Sequence, residues 1–442
     1  MNKRTIIIII IIILLIAAAV VLFITSRQPA KTVPLTIATI WDAPESKEIK
    51  GQLDFDSAGR RVQLGRSGFE KGLKDSIGDL KIEEIMIPEE PSLREMIMNV
   101  VNIFTEKEIL MTIGATTDEA SMDASMEMNY FNVPMLIPYS DGMISPDKTA
   151  TDYSMRMQPT VALYDDYVDR IFTKDLFTFV RETLFTSGSA PEIDINIAVF
   201  FVDNFNGNNS AVSVTQSVMD AGYNIDAYIP FTDLKTSVDN GWSDIPDKFT
   251  NIDAVIIIGE DANPFPELSA VWHSWTDRGL FPDFFLIGYL PDDTLSEDLK
   301  QAGNVFVIQP KIDMSNCPAG ITSRSEALGY ASGLITGKAL SNAVQTQPAE
   351  SAGIQLWFMS AEKRQDVHSD FISSFRSNVR SALMDLSGDI PCYGEVAFKN
   401  GPDDRIKLEL VHYTGVDQFD VMDENAFTLR MIDRIKTAYG LD

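Results

Sequence analysis

The chain has 442 residues, enough for two domains of ordinary size, and 45% of them are hydrophobic, enough for a sizeable core. Its 64 acidic and 36 basic side chains give a formal net charge of -28. Such a charge repels phosphate backbones, and no basic stripe offsets it, so a nucleic-acid partner is not expected. We interpret the acidity as a solubility feature; an acidic face that recruits cations or a basic partner is the alternative.

The N-terminal residues predict a membrane anchor. Lys3 and Arg4 precede residues 6–24, a run of 19 residues without one polar side chain. As a helix this run would span about 28 Å, close to the ~30 Å hydrocarbon core of a bilayer. The basic head predicts an N-terminus inside the cell and a body outside it. A cleaved signal peptide is the alternative, although its apolar core is normally shorter; the body is exported in either case.

The rest of the chain alternates short apolar runs with amphipathic stretches, the βαβ pattern of parallel sheets. A first series predicts strands at 35–40, 82–87, 108–113 and 133–137, with helices at 65–80, 92–104 and 120–130. A second series predicts a long helix at 162–184, strands at 195–202, 223–229, 254–258, 284–287 and 304–308, and helices at 211–221 and 266–278. The pattern indicates two doubly wound α/β lobes in succession. A last amphipathic helix is predicted at 424–441, with its packing left open.

Glycine recurs at every fourth position in one helical stretch, at Gly329, Gly333 and Gly337. This spacing places the three glycines on one face of a helix. We expect that face to pack closely against a neighbouring helix. The lysine that follows Gly337 gives a superficial likeness to a phosphate-binding loop, but the spacing is one residue short and no Ser or Thr follows it.

Enzyme signatures are missing from the sequence. It contains no GxSxG elbow, no HExxH helix and no GxGxxG after a predicted strand. Its histidines, at 273, 368 and 412, lack ligand spacing, and Cys317 and Cys392 lack CxxC spacing, so neither a metal nor another cofactor is expected. Outside the cytoplasm the two cysteines could be oxidised, and the sequence leaves that disulfide open. We therefore expect a protein that is not an enzyme.

Polar and aromatic residues cluster at the carboxyl ends of the predicted strands, where open α/β sheets bind ligands. Helix capping and turn formation are the alternative roles for any single residue. As a set that faces across two lobes, the clusters favour a binding cleft. The candidate residues are Trp41, Thr116, Thr117, Ser140 and Asp141 in the first series and Asn206, Glu260, Asp261 and Tyr289 in the second.

Several stretches resemble one known family. Residues 109–117 (ILMTIGATT) and 132–138 (NVPMLIP) resemble its strand, ligand loop and following strand. Residues 153–159 (YSMRMQP) resemble the segment that leads to the first crossing between lobes, and 196–203 (NIAVFFVD) resemble the opening strand of the second lobe. Together with the late stretch 394–405, these motifs are similar to the type I periplasmic binding protein family. The likeness is greatest to the branched-chain amino-acid-binding branch of ABC importers and to related receptor ligand-binding regions.

The resemblance implies a Venus-flytrap architecture, with two doubly wound parallel-sheet lobes joined by a three-strand hinge behind an N-terminal transmembrane helix. We expect the anchor and linker at 1–32 and the first part of lobe one at 33–160. The first part of lobe two is expected at 161–308 and the second part of lobe one at 309–390. Residues 391–442 are expected to hold a hairpin of lobe two, the last crossing and the C-terminal helix.

The resemblance also implies ligand contacts. The loop that holds a ligand carboxylate in the family falls on Thr116 and Thr117, and the second contact loop falls on Ser140 and Asp141. The chain departs from the family at Asn206, where amino-acid binders often have an aromatic residue, and at Leu290, where they place an acid. Glu260 or Asp261 is the remaining candidate for that charge.

These contacts lead to one functional expectation. The protein captures an amino acid or a similar small polar solute for an ABC importer, with a permease as its partner. The alternative is a membrane-tethered sensing module that acts on another protein.

Overall fold

The computed structural model describes residues 34–42, 46–49, 52–55, 57–89, 93–116, 118–139, 153–159, 161–171, 196–203, 205–220, 223–231, 252–258, 272–273, 276–277, 283–287, 297–346, 361–398, 407–415 and 418–438. The predicted anchor, at 6–24, lies outside these ranges. Within them, no helix is both long and apolar enough to cross a bilayer.

The first sheet is parallel and has five strands in the order β4-β1-β5-β6-β7. Ile37, Ile113 and Met135 in this sheet are fully buried, because helices cover both of its faces. The structure confirms the predicted strands, although β5 and β6 are shorter than expected, and adds β7 and a short hairpin, β2–β3. The strands are β1 (Leu35–Asp42), β2 (Ser46–Ile49), β3 (Gln52–Phe55), β4 (Ile82–Glu89), β5 (Met111–Ile113), β6 (Met135–Ile137) and β7 (Ser154–Arg156).

Helices from two separate parts of the chain cover this first sheet. Those between its strands are α1 (Ser57–Ile77), α2 (Leu93–Glu106) and α3 (Asp118–Tyr130). Two more come from a later part of the chain, α7 (Arg324–Thr346) and α8 (Ala361–Met384). One core cluster joins the sheet to α1, α7 and α8, and another joins it to α2 and α3. We call this assembly the first lobe.

The predicted glycine face lies on α7 and packs against α1. A Cβ atom on Gly329 would lie 1.9 Å from the carbonyl oxygen of Gly65, and one on Gly333 would lie 2.2 Å from that of Phe69. A Cβ atom on Gly68 of α1 would likewise lie 2.0 Å from the carbonyl oxygen of Glu326. The two backbones are therefore in direct contact, which confirms the close packing expected from the sequence.

The second sheet has seven strands in the order β16-β15-β12-β11-β10-β8-β9, with the last two strands of the chain antiparallel. Its core lies on both faces. Its strands are β8 (Asn196–Val202), β9 (Asn224–Phe231), β10 (Ala254–Ile258), β11 (Asp283–Ile287), β12 (Val305–Pro310), β15 (Leu408–Gly415) and β16 (Gln418–Met422). Its helices include α4 (Val161–Ile171), α5 (Phe205–Asp220) and α6 (Glu297–Gln301). Residues 172–184 of the long predicted helix, and most of 266–278, lie outside the described ranges.

The C-terminal helix, α9 (Glu424–Ala438), packs on this second lobe rather than standing free. Phe427 is fully buried and Ile432 nearly so, both in the core cluster that contains β8, β10 and β12. The Phe427 ring meets those of Phe285 and Phe306 edge-on. The structure thus assigns the last helix to the second lobe.

The hairpin of β13 (Ser387–Ile390) and β14 (Gly394–Ala397) corrects one expected boundary. Residues from 391 were expected in lobe two, but Cys392, Val396 and Phe398 are buried in the core of the first lobe. These side chains are apolar and pack beside Ile390, so they extend the first core. The chain therefore enters the second lobe after residue 398.

Candidate functional site

The carboxyl ends of three neighbouring strands meet at one edge of the first sheet. Thr39 of β1 lies beside Ile113 of β5, which in turn lies beside Leu136 of β6. The residues that follow these positions, Trp41, Thr116 and Tyr139, therefore share this edge. Both aromatic residues are buried, and their ring centroids are 5.7 Å apart. We call Trp41, Thr116 and Tyr139 the cleft edge.

Gly114 lets the loop after β5 approach the first strand. Its φ is +114°, and a Cβ atom there would lie 2.1 Å from the carbonyl oxygen of Ile40. Only glycine adopts this conformation without strain and leaves that space free. The loop therefore carries Ala115 and Thr116 into buried positions beside β1.

The indole N–H of Trp41 is a buried donor at the cleft edge. Its side chain is 2% exposed, and its Nε1 has no hydrogen-bond partner among the described residues. A buried, unpaired donor costs about 1–3 kcal/mol. An oxygen atom of a ligand bound at the cleft edge would remove that cost.

Tyr139 connects the cleft edge to the start of α7. Its hydroxyl donates a 2.9 Å hydrogen bond to the carbonyl oxygen of Ser325. The Ser323 hydroxyl caps this helix by accepting from the backbone N–H of Glu326 at 3.1 Å, and the Glu326 carboxylate accepts from the N–H of Thr322 at 2.9 Å. This is the reciprocal arrangement of a capping box, shifted by one residue, and it fixes the turn that Tyr139 contacts.

A buried polar cluster lies where the chain passes between the two lobes. The Arg324 guanidinium donates to the carboxylate of Glu409 at 2.7 Å, and the Gln309 amide donates to the same oxygen at 3.2 Å. Arg324 is 4% exposed and Glu409 7%, so water screens their attraction little. The cluster joins α7 of the first lobe to β12 and β15 of the second.

Comparison with known proteins gives a match in structure alone. No family model matches the chain, and no curated protein matches it either. An extracellular ligand-binding receptor from Rhodopseudomonas palustris HaA2 aligns with a TM-score of 0.61 at 11% identity, over 88% of this chain and 100% of that one. A leucine-binding protein from Thermotoga maritima aligns with a TM-score of 0.58 at 12% identity, over 88% and 98%.

A branched-chain amino acid transporter substrate-binding protein from Streptococcus pneumoniae, in complex with isoleucine, also aligns. Its TM-score is 0.57 at 12% identity, over 88% of this chain and 99% of that one. The chain has the type I periplasmic binding protein fold. The expectation from the sequence motifs is thereby confirmed at the level of the fold.

Within this type I periplasmic binding protein fold, three of the predicted site residues lie in described ranges. Trp41 and Thr116 lie together at the cleft edge. Asn206 lies in the first turn of α5, which follows β8 of the second sheet. The other predicted residues, Thr117, Ser140, Asp141, Glu260, Asp261 and Tyr289, lie outside the described residues.

Other residues near the site were not among the predicted ligand contacts. Tyr139 directly precedes Ser140, and its position after a buried strand was the available signal. Arg324, Gln309 and Glu409 gave no signal, because they are far apart in the chain. Across the described ranges no group of three or more His, Cys, Asp or Glu side chains could hold a metal ion.

Proposed function

We propose that the protein is an extracytoplasmic solute-binding protein that captures a small polar ligand, an amino acid or a similar solute, between its two lobes. The observation that carries this proposal is the cleft edge, where Trp41, Thr116 and Tyr139 lie at the carboxyl ends of adjacent strands of the first sheet. Open α/β sheets bind ligands at such edges. The proteins of the same fold include one titled as a leucine-binding protein and one in complex with isoleucine.

Each lobe contributes one side of the proposed site. Trp41, Thr116, Thr117, Ser140 and Asp141 would contact the ligand from the first lobe. Asn206, Glu260, Asp261 and Tyr289 would contact it from the second. A ligand that binds the closed form better than the open form shifts the population towards closure.

The proposed role is delivery rather than chemistry. The protein would present its ligand to an ABC permease and would not act as an enzyme. An N-terminal single-pass anchor at 6–24 would hold the body on the outer face of the cell membrane. Tethering keeps the binding protein at a high effective concentration near its permease. A tethered sensing module is the second candidate, favoured by the match to a protein titled as an extracellular ligand-binding receptor.

A thermal-shift screen of the full chain in a mild detergent tests the proposed function. The compounds are amino acids, short peptides, amides, nucleosides and sugars. A ligand that binds only the folded state contributes about 2.7 kcal/mol at a hundred times its dissociation constant, so the melting temperature must rise. A flat response from well-folded protein contradicts solute capture and favours a protein partner.

A matched pair of variants then locates the site. Trp41→Phe keeps an aromatic ring but removes the unpaired N–H at the cleft edge. Trp272→Phe removes another indole N–H that has no partner among the described residues, from a side chain that packs against the core of the second lobe. Weaker binding in Trp41→Phe alone places the ligand at the cleft edge, whereas equal affinities in both variants remove Trp41 from the site.

A further inference from the structure

The turn between β13 and β14 contacts the segments that join the two lobes. The first of these segments connects β7 to α4, and its residue Met157 accepts a hydrogen bond at its carbonyl oxygen from the Tyr393 hydroxyl. The backbone N–H of Asp313, in the second segment, donates to the carbonyl oxygen of Cys392 at 2.9 Å. The third segment continues from the hairpin itself, after Phe398. One turn therefore contacts or leads to all three connections.

A disulfide strengthens this arrangement. Cys392 is bonded to Cys317, 75 residues earlier, with their Cα atoms 4.6 Å apart. Cys317 directly follows the short 3₁₀ turn Met314–Asn316 of the second segment. Cys392 is 1% exposed and lies in the core of the first lobe with Ile390 and Val396. The second segment is thus covalently held against that core.

We propose that residues 391–393 and the Cys317–Cys392 disulfide form a hinge clasp that holds the first-lobe ends of the connections together and sets how the lobes close. With the clasp in place, bending is confined to the parts of the connections that lie beyond it. The backbone N–H of Lys311 donates to the carbonyl oxygen of Lys407 at 2.7 Å, so the second and third segments move as a pair. Opening the disulfide lengthens the bending region of the second segment.

The clasp also makes closure sensitive to thiols. Cys317 is partly exposed whereas Cys392 is buried, so a dithiol reaches the Sγ atom of Cys317 first. Its thiolate forms a mixed disulfide with Cys317 and releases the thiolate of Cys392, which takes up a proton. The second thiol of the dithiol then displaces Cys317. The protein ends with two thiols, and the dithiol ends as its own disulfide.

The effect on affinity rests on the proposed solute capture, but the clasp itself can be tested without any ligand. Tyr130 of α3 and Val212 of α5 are exposed, one on each lobe. Both are replaced by para-acetylphenylalanine in the full chain and coupled to ketone-reactive spin labels. Electron–electron resonance then measures the interlobe distance before and after treatment with dithiothreitol.

Reduction should broaden the interlobe distance distribution, and reoxidation should restore it. For a ligand found by the thermal screen, reduction should raise the dissociation constant roughly tenfold, or about 1.4 kcal/mol. Identical distributions in both states, with only a lower melting temperature after reduction, overturn the proposal. That result would show a disulfide that stabilises the fold without controlling closure.

Variants separate the clasp from general stability. Cys317→Ser with Cys392→Ser should reproduce the reduced protein, and dithiothreitol should change it no further. Tyr393→Phe keeps the disulfide and the ring and removes the hydrogen bond to Met157, so it should give intermediate broadening. An unchanged distribution in Tyr393→Phe contradicts the clasp even if the double variant fails to fold. If reduction broadens the interlobe distance distribution but the thermal screen finds no ligand, the proposed function is rejected and the clasp is supported.

Discussion

Arg324 and Glu409 form a buried ion pair that joins the two lobes. Their closest atoms, Nη1 and Oε1, are 2.7 Å apart, and 85 residues separate them in the chain. Arg324 begins α7 of the first lobe, one residue before the carbonyl that Tyr139 contacts. Glu409 lies in β15 of the second lobe. The first turn of α7 therefore links the cleft edge to the neighbouring lobe.

Neutralising this pair should destabilise the protein strongly. In Glu409→Gln the buried guanidinium of Arg324 loses its ion pair with Glu409, and breaking a buried pair costs about 3–5 kcal/mol. The midpoint of urea unfolding measures the loss. The matched control is Glu70→Gln, which removes an exposed partner of Arg66 at 3.1 Å within one helix and should cost about 0.5 kcal/mol or less. Equal effects of the two substitutions would contradict the structural role of the buried pair.

Adding one methyl group at Gly333 should disrupt the contact between α1 and α7. The new Cβ atom would lie 2.2 Å from the carbonyl oxygen of Phe69 and 2.5 Å from the nitrogen of Leu73. Both are backbone atoms, so a helix must move, at a cost of about 1–3 kcal/mol typical of overpacking. Gly415→Ala is the control, since its Cβ atom would make ordinary contact with Gln418 at 3.4 Å. An unchanged melting temperature in Gly333→Ala would exclude the close packing.

Tyr139→Phe should weaken ligand binding more than it weakens the fold. The substitution keeps the ring beside Trp41 and removes the hydrogen bond to Ser325, so stability should fall by about 0.5–1.5 kcal/mol. Tyr330→Phe is the control, because it removes a hydrogen bond to Asp75 at 3.0 Å between α7 and α1. Calorimetric titration with a ligand from the thermal screen should show lower affinity in Tyr139→Phe only. If Tyr139→Phe binds the ligand as tightly as Tyr330→Phe does, the ligand does not bind at the cleft edge.

Much of the fold could be predicted from the sequence, because buried parallel strands have continuous apolar runs. Strand β10 begins and ends where the pattern predicts, at Ala254 and Ile258, and all five of its residues are buried. The glycine spacing on α7 likewise predicted a close helix contact. The β2–β3 hairpin could not be predicted, because its strands have only four residues each and β2 (SKEI) shows no alternation of apolar and polar residues.

The site could be predicted only in part. Trp41 lies at the carboxyl end of β1 and Thr116 lies three residues after β5, so topology alone brings them to one edge. The contact between Tyr393 and Met157 joins residues 236 positions apart, and nothing local indicates it. The sequence left the Cys317–Cys392 disulfide undecided for the same reason, since bonding requires a short Cα separation that sequence spacing does not determine.

His412 should make stability depend on pH. Its Nε2 lies 2.9 Å from the carbonyl oxygen of Gly303, and burial is the main cause that lowers its pKa. The charge of Arg430 acts in the same direction, while the Gly303 carbonyl and the carboxylates of Asp283 and Asp420 oppose it. The unfolded state therefore binds a proton first as the pH falls through about 6.5. The stability that neutral His412 contributes is therefore lost as the pH falls from about 6.5 to the lower pKa of His412 in the folded state.

The measurement is the urea midpoint of the protein and of His412→Gln between pH 5 and 8. Carboxylates also titrate at the acidic end, but they are common to both proteins, so the difference between the two curves isolates the histidine. The difference should be constant above about pH 7 and should shrink towards pH 5, because only the parent protein then loses the contribution of a neutral imidazole. Parallel curves over the whole range would show that His412 binds its proton equally in the folded and unfolded states. A difference that grows towards acid would mean that the neighbouring carboxylates outweigh burial.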